Sequence, residues 1–358
     1  MIMPNNLGRQ YSLNAKEYED KAIEVLRSGW YILGKEVSSF EKEWAEYIGT
    51  SYCVGLASGL DALWMSFRLL DIKEGDEVIV CANAYIACVM GITMNGANPV
   101  FVEPDKYNNI DPEKIESAIT SNTKAILAVH LFGQACDMTK IMDLAHKYNL
   151  KVVEDCAQSH GNKWNGKVVG SFGDVGCFSF YPSKGCGAFG DAGCITTNNE
   201  DLAEKFKTYR NYGSKVRYQN EVVGANSRLD ELQAGLLRVK MKYLNQFNAE
   251  RNEIAQRYLN ELNNPLLELP EIRNGADSSW HQFVVHVKEG KRDNLINYLK
   301  EKEIGTIIHY PIPPHLSKAY AYLGKKKGDY PIAERYADEV LSLPMYNGMT
   351  KEEQYTVI

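Results

Sequence analysis

The sequence predicts an α/β fold, a large domain around a mostly parallel sheet followed by a small α+β domain, and three observations carry this. First, short β-rich runs at 52–57, 77–81, 99–103, 124–130 and 151–155 alternate with helical stretches, the pattern of parallel βαβ units with right-handed crossovers. Second, 358 residues with 44% hydrophobic content exceed one typical domain and can bury a substantial core. Third, the character changes beyond about Arg251, where a strand at 280–287, a helix at 291–302 and a strand at 304–310 follow one another. The division expected is therefore 1–250, an N-terminal arm with the large domain, and 251–358.

Taken in order, residues 14–28 read as a helix that ends at Ser28-Gly29, and the exposed loop WYILG leads to a second amphipathic helix. Tyr52 to Ala57 forms a strand from which Ser58-Gly59-Leu60 passes directly into the helix DALWMSFRLL. A glycine between strand and helix lets the backbone approach a phosphate, and the free N–H groups of the helix start bind it. Glu77 to Cys81 is the next strand, with Tyr85 at the head of the following helix, either packed there or presenting its ring to a ligand. No charge occurs between Glu77 and Glu103, but Asn83, Gly91, Asn95, Gly96, Asn98 and Pro99 punctuate the stretch, so it reads as a buried strand–helix–strand unit and not a membrane span. The alternation continues with helices at 112–120 and 138–148, ending in the strand Lys151 to Asp155.

Two ionisable residues stand at strand ends in KVVEDCAQSHGNKWNGKVVGSFGDVGCFSFYPSKGCGAFGD. Asp155 sits where a parallel strand opens into its loop, the edge at which open α/β sheets bind ligands. Lys184 follows the buried run Val175 to Tyr181 after a Pro-Ser turn, and burial there would lower its amine pKa and make it a Schiff-base nucleophile. A lysine and an aspartate so placed are the two groups that pyridoxal phosphate chemistry requires, one to hold the aldehyde and one to keep the ring nitrogen protonated. Ser179, on the strand leading to Lys184, could donate to the cofactor phosphate. For an arbitrary pair, a solvated loop lysine and a strand-end cap is the competing reading. Gly185, Gly187 and Gly190 also spell G-x-G-x-x-G, but a dinucleotide site needs a helix starting within the glycines. Here GDAGCITTNN continues as a strand, and the next helix begins near Asp201.

Composition narrows the partners. A net charge of -6 without basic clusters beyond Lys325 to Lys327 argues against nucleic acid. Eight cysteines, none in a CxxC pair and most in apolar runs, fit buried thiols of a reducing compartment and no metal site. With no apolar signal region at the N-terminus, the expected location is cytoplasmic.

VVEDCAQSHG, then GDVGCFSFYPSK and GDAG, closely resembles the DegT/DnrJ/EryC1/StrS sugar aminotransferase family, and the resemblance covers nearly the whole chain. It implies a fold-type-I, aspartate aminotransferase-like enzyme with a seven-stranded sheet, pyridoxal 5'-phosphate as cofactor, and a homodimer with shared active sites. Lys184 and Asp155 are then catalytic. Ser58, Gly59, Leu60, Tyr85, Gln158, Ser179 and Asn226 bind cofactor, Tyr85 by stacking and Asn226 by reaching across to the neighbouring subunit's phosphate. Leu60 departs from the threonine common in the family and leaves only its backbone N–H. Tyr31, Tyr181, Arg228, His309 and Tyr310 border the substrate, while His160 reads as structural. SGLDAL, SGWYILG and NEVVGANSRLDELQA are most similar to dTDP-3-keto-6-deoxyhexose 3-aminotransferases, which implies L-glutamate and a dTDP-keto-sugar as substrates. Amination at C4 or of a UDP-linked sugar stays open. Lys184 argues against the family's dehydratase branch, which carries histidine in its place.

Overall fold

The structure, a computed structural model, describes residues 1–358. Helices α1 (Leu7–Ser12), α2 (Ala15–Ser28) and α3 (Lys35–Ile48) precede the sheet. Gly29 and Gly49 close α2 and α3 in the left-handed conformation that glycine adopts without strain. Then β1 (Tyr52–Leu56), α4 (Gly59–Leu69), β2 (Glu77–Cys81), α5 (Ile86–Thr93), β3 (Asn98–Val102), α6 (Pro112–Ile115), β4 (Thr123–Val129), α7 (Met138–Tyr148) and β5 (Lys151–Asp155) alternate as expected. A two-stranded insertion, β6 (Lys163–Trp164) and β7 (Lys167–Val168), separates β5 from β8 (Val175–Ser179) and β9 (Gly193–Thr197).

Seven strands lie side by side in the order β1-β9-β8-β5-β4-β2-β3. All run parallel except β9, which opposes both β1 and β8. The reversal has a local cause: residues 180–192 carry no helix, and a crossover to a parallel neighbour is built on one. Val78, Ile79, Val80, Ile126, Leu127, Ala128, Val152 and Val153 are all buried, the unbroken apolar runs of strands covered on both faces.

After the sheet come α8 (Glu200–Tyr209), the hairpin β10 (Ser214–Val216) and β11 (Gln219–Asn220), α9 (Glu231–Met241) and α10 (Leu244–Glu261). Next are β12 (Leu267–Glu268), β13 (Phe283–Val287), α11 (Arg292–Glu301), α12 (Pro331–Glu339), β14 (Val340–Leu343) and α13 (Lys351–Val357), with the three strands in one antiparallel sheet. Residue 251 falls inside α10: Leu244 packs in the larger core, whereas Ile254, Ala255 and Tyr258 pack with Trp280 and Phe283 in a smaller one. The Arg251 guanidinium, buried in that helix, donates to Asn347 Oδ1 at 3.0 Å and to the Trp280 carbonyl at 3.1 Å.

Three elements differ from expectation. The sequence from about Leu229 to Leu262 predicts one long helix, but the structure forms α9 and α10 there, because Lys240 turns inward to donate to the Gly187 carbonyl at 3.0 Å and Tyr243 bonds the Glu17 carboxylate, tertiary contacts that hold the break. Residues 304–310 form no strand, since Ile304 bridges Ile2 and Ile307 bridges Ser342, one pair on each of two different partners. The helix expected at 112–120 stops at Ile115 and tightens into a 3₁₀ turn over Glu116–Ala118. All eight cysteines are buried and unpaired, and no helix is long and apolar enough to cross a membrane.

Candidate active site

Successive residues of a strand point to opposite faces, so Glu154 and Asp155 at the end of β5 have different surroundings. Asp155 accepts from the Ala157 N–H at 3.0 Å through Oδ1, and Cys88 Sγ lies 3.1 Å from Oδ2. Glu154 faces the interior, where it accepts from the N–H groups of Gly170, Phe172 and Gly173 at 2.7 to 2.8 Å. Its Oε2 also lies 3.1 Å from His130 Nε2. The Cys136 N–H donates to His130 Nδ1, and an amide can only donate, so the ring proton sits on Nε2 and points at Glu154. Burial alone would raise the Glu154 pKa, but His130 and the amides outweigh it and leave the carboxyl below its ordinary value. Although His130, Glu154 and Cys156 come close enough to suggest a metal, these bonds already engage Glu154 and the imidazole.

Lys184 lies five residues past the end of β8. Burial lowers its amine pKa to about 8, with the Asp155 carboxylate partly opposing the shift. Asp155 therefore acts on Lys184 through space, without a direct ion pair. The loop beyond the lysine is held from two sides: the Cys186 N–H donates to His160 Nδ1 at 3.0 Å, and Lys240 donates to the Gly187 carbonyl. His160, packed edge-on to Trp44, is a support for this loop. The run Gly185–Gly190 leads into the antiparallel β9 with no helix between, so it is not a dinucleotide-binding turn.

Ser58 caps α4, its Oγ accepting from the Asp61 N–H at 3.1 Å. Gly59 and Leu60 begin that helix, and a Cβ on Gly59 would stand 2.4 Å from Ser179 Cβ. Any Cβ there would collide with Ser179, so glycine is what lets the helix start lie directly beside the Ser179 side chain. Free N–H groups there form an anion site.

The Tyr85 and Tyr310 rings lie 4.9 Å apart, tilted by 34°. The Phe132 N–H donates to Gln158 Oε1 at 2.7 Å, which fixes the amide so that Nε2 donates to the Tyr310 hydroxyl at 3.0 Å. His309 Nδ1 lies 2.8 Å from Ser342 Oγ and Nε2 lies 2.9 Å from Gln282 Nε2. Burial, then the charge of Lys184, lowers its pKa to about 4, so the ring is neutral at pH 7.

The remaining candidates make no side-chain bond to these groups. Tyr31 is half exposed and donates to the Leu26 carbonyl at 3.1 Å. Tyr181 is exposed, and only its backbone carbonyl engages Lys184. Asn226 is exposed, and Arg228 donates to Asn211 Oδ1 at 2.9 Å. Between them, Ser227 accepts from the Ala57 N–H at 3.1 Å and donates to Asp61 Oδ2 at 2.7 Å, fastening this strand beside the α4 start.

A model of the DegT/DnrJ/EryC1/StrS aminotransferase family matches residues 13–358. The chain belongs to this family. A family member from Aneurinibacillus thermoaerophilus, dTDP-3-amino-3,6-dideoxy-alpha-D-galactopyranose transaminase, is 53% identical over 96% of this chain and 94% of its own. UDP-N-acetyl-3-dehydro-alpha-D-glucosamine 3-aminotransferase from Acidithiobacillus ferrooxidans is 42% identical, over 92% and 88%. The crystal structure of S. venezuelae DesV superposes with a TM-score of 0.97 at 41% identity, covering 99% of this chain and 96% of DesV.

Within this aminotransferase framework, sequence reasoning missed Cys88, Gln282, Ser342 and Ser227. Cys88 left a signal, standing three residues after Tyr85, the residue that precedes α5. The other three join through contacts between distant segments, which no local pattern announces.

Proposed function

We propose that the chain is a pyridoxal 5'-phosphate-dependent aminotransferase that moves the amino group of L-glutamate to the C3 keto group of a dTDP-linked 3-keto-6-deoxyhexose. The observation that carries the reading is Lys184 after β8, whose amine pKa burial draws down to about 8 although the Asp155 carboxylate opposes the shift. The residues fit this cofactor. Gly59 lets the start of α4 lie directly against Ser179, where any Cβ would collide, and the amine, carboxylate and hydroxyl supply the donor set the cofactor needs.

When bound, the cofactor supplies an electron sink for charge developing at the donor's α-carbon. Lys184 Nζ would hold the cofactor aldehyde, and its free amine would take and return the proton at the donor's α-carbon. A pKa near the working pH suits an amine that must both accept and release a proton. Asp155 holds a proton at the ring nitrogen. The N–H groups of Gly59 and Leu60, with the Ser58 and Ser179 hydroxyls, bind the phosphate. Tyr85 stacks on the ring, and Gln158, its amide pinned by Phe132, faces the phenolic oxygen. His309, Tyr310, Tyr31, Tyr181 and Arg228 line the sugar's approach.

Asn226 is exposed and fastened beside α4 by its neighbour Ser227, which supports a homodimer in which Asn226 of the partner subunit reaches the phosphate. We further assign the division of the chain to about Arg251, where α10 passes from one core into the other, and a cytoplasmic setting, in keeping with eight unpaired thiols. The 53% identity to a dTDP-sugar 3-transaminase favours C3 and dTDP, and the UDP-sugar relative is the reason to test the alternative.

The test is glutamate-dependent amination of dTDP-3-keto-6-deoxyglucose beside its galacto epimer, with product read by mass and NMR. A C3 amine on either sugar is expected. Amine at C4, or turnover confined to UDP-linked acetamido sugars, would overturn the assignment.

A further inference from the structure

We infer that Cys88 is a positioning residue whose thiol orients the Asp155 carboxylate toward the ring nitrogen of the bound cofactor. The inference rests on the cofactor reading above and adds a residue to it. Asp155 offers two carboxylate oxygens, and the protein gives each one donor. Oδ1 receives the Ala157 N–H at 3.0 Å, and Oδ2 has Cys88 Sγ at 3.1 Å as its side-chain partner. Two donors from different directions fix the rotation of the carboxylate, and each oxygen keeps lone-pair capacity for a further N–H.

The thiol is equipped for this. Cys88 is 1% exposed, and burial followed by the Asp155 charge holds its pKa well above the ordinary value, so the group is S–H and donates. Its place is set by α5, in whose first turn the Cys88 N–H donates to the Tyr85 carbonyl at 2.9 Å. One helix start thereby sets both the Tyr85 ring and the partner of Asp155. A buried cysteine used as small apolar filler would have no reason to face a carboxylate, since burying a charge beside a group that gives no hydrogen bond is costly. The choice of sulfur also has a consequence. An S–H is a weak donor, so it orients the carboxylate while leaving most of its negative charge for the ring N–H.

Two measurements test this. The first uses cofactor-free protein: the S–H stretching band isolated by subtracting the infrared spectrum of Cys88→Ala from that of the wild type should lie at the lowered frequency of a bonded thiol and return to the free-thiol position in an Asp155→Ala background. The second uses the loaded enzyme, with cofactor affinity measured by absorbance titration and the pH at which bound-cofactor absorbance changes. Cys88→Ala should weaken affinity about tenfold, the scale of one hydrogen bond to a charged group, and move the pH midpoint. Cys88→Ser, which restores a donor, should recover most of the affinity. A free-thiol band in the wild type, or a Cys88→Ala enzyme with unchanged affinity and pH midpoint, overturns the inference while the cofactor reading stands. A wild-type protein that takes up no cofactor overturns both. Should Cys88→Ala fail to fold, the Cys88→Ser and Cys88→Val enzymes carry the comparison, with rescue by serine alone expected and equal behaviour of the two decisive against.

Discussion

Glu154 and Asp155 are neighbours on one strand with the same chemical group, yet their surroundings divide labour between them. Glu154 is saturated: three backbone amides and the His130 imidazole take up its oxygens inside the protein. Asp155 receives only one amide and one thiol, so each of its oxygens keeps room for a further donor. A carboxylate whose bonding capacity is filled by the fold holds the fold together, whereas one left partly filled is available to a ligand. Period-two alternation alone is enough to separate the two roles.

The sharpest way to break this comparison starts across the cleft. Lys184→Ala should abolish both glutamate-dependent transfer and the absorbance of lysine-linked cofactor, while the thermal midpoint changes little. Residual turnover of keto-sugar by that variant would remove the cleft from the chemistry altogether. Next in size is the pair itself. Glu154→Gln should lower stability by about 3 kcal/mol, measured by urea unfolding, because the amide brings N–H groups against backbone donors and strands a buried network. Asp155→Ala should leave the unfolding midpoint near the wild type and lose nearly all transfer activity. Equal stability losses in the two variants would erase the distinction.

The smallest expected effect is in the pH profile. In the cofactor-free protein Lys184 titrates near pH 8, so the rate of cofactor capture should rise as pH passes through about 8 and the amine loses its proton. The linkage has a definite sign. Because the folded-state value lies below the ordinary 10.5, the unfolded chain binds more protons between about 8 and 10.5, and this residue's contribution to stability rises with pH across that window. Glu154 acts with the same sign at the acid end. Its lowered pKa adds stability that is present above about 4.5 and lost as pH falls through the folded value.

The local character of these groups explains what could be read from the chain. Strand ends at Cys81, Val129 and Asp155, the helix start at Ser58-Gly59 and the lysine after β8 follow from apolar runs and turn residues, and each came within a residue or two of its place. The reversed direction of β9 was less accessible, because it depends on a missing helix and not on anything β9 contains. The break between α9 and α10 was hidden for a related reason: Lys240 and Tyr243 belong to a helix-compatible run and are diverted by Gly187 and Glu17, far away in sequence. At the site, motif resemblance reached Asp155, Gln158 and Lys184. It did not reach the bonds that aim them, from Cys88, from the Phe132 N–H and from His160 by way of Cys186.

The eight cysteines, all shut away from solvent in the larger core, have a practical consequence. A thiol-reactive dye offered to the intact molecule finds nothing to label, so every increment of colour counts a chain that has opened. The larger core thereby carries its own gauge of opening, to which the smaller C-terminal core, holding no cysteine, is silent.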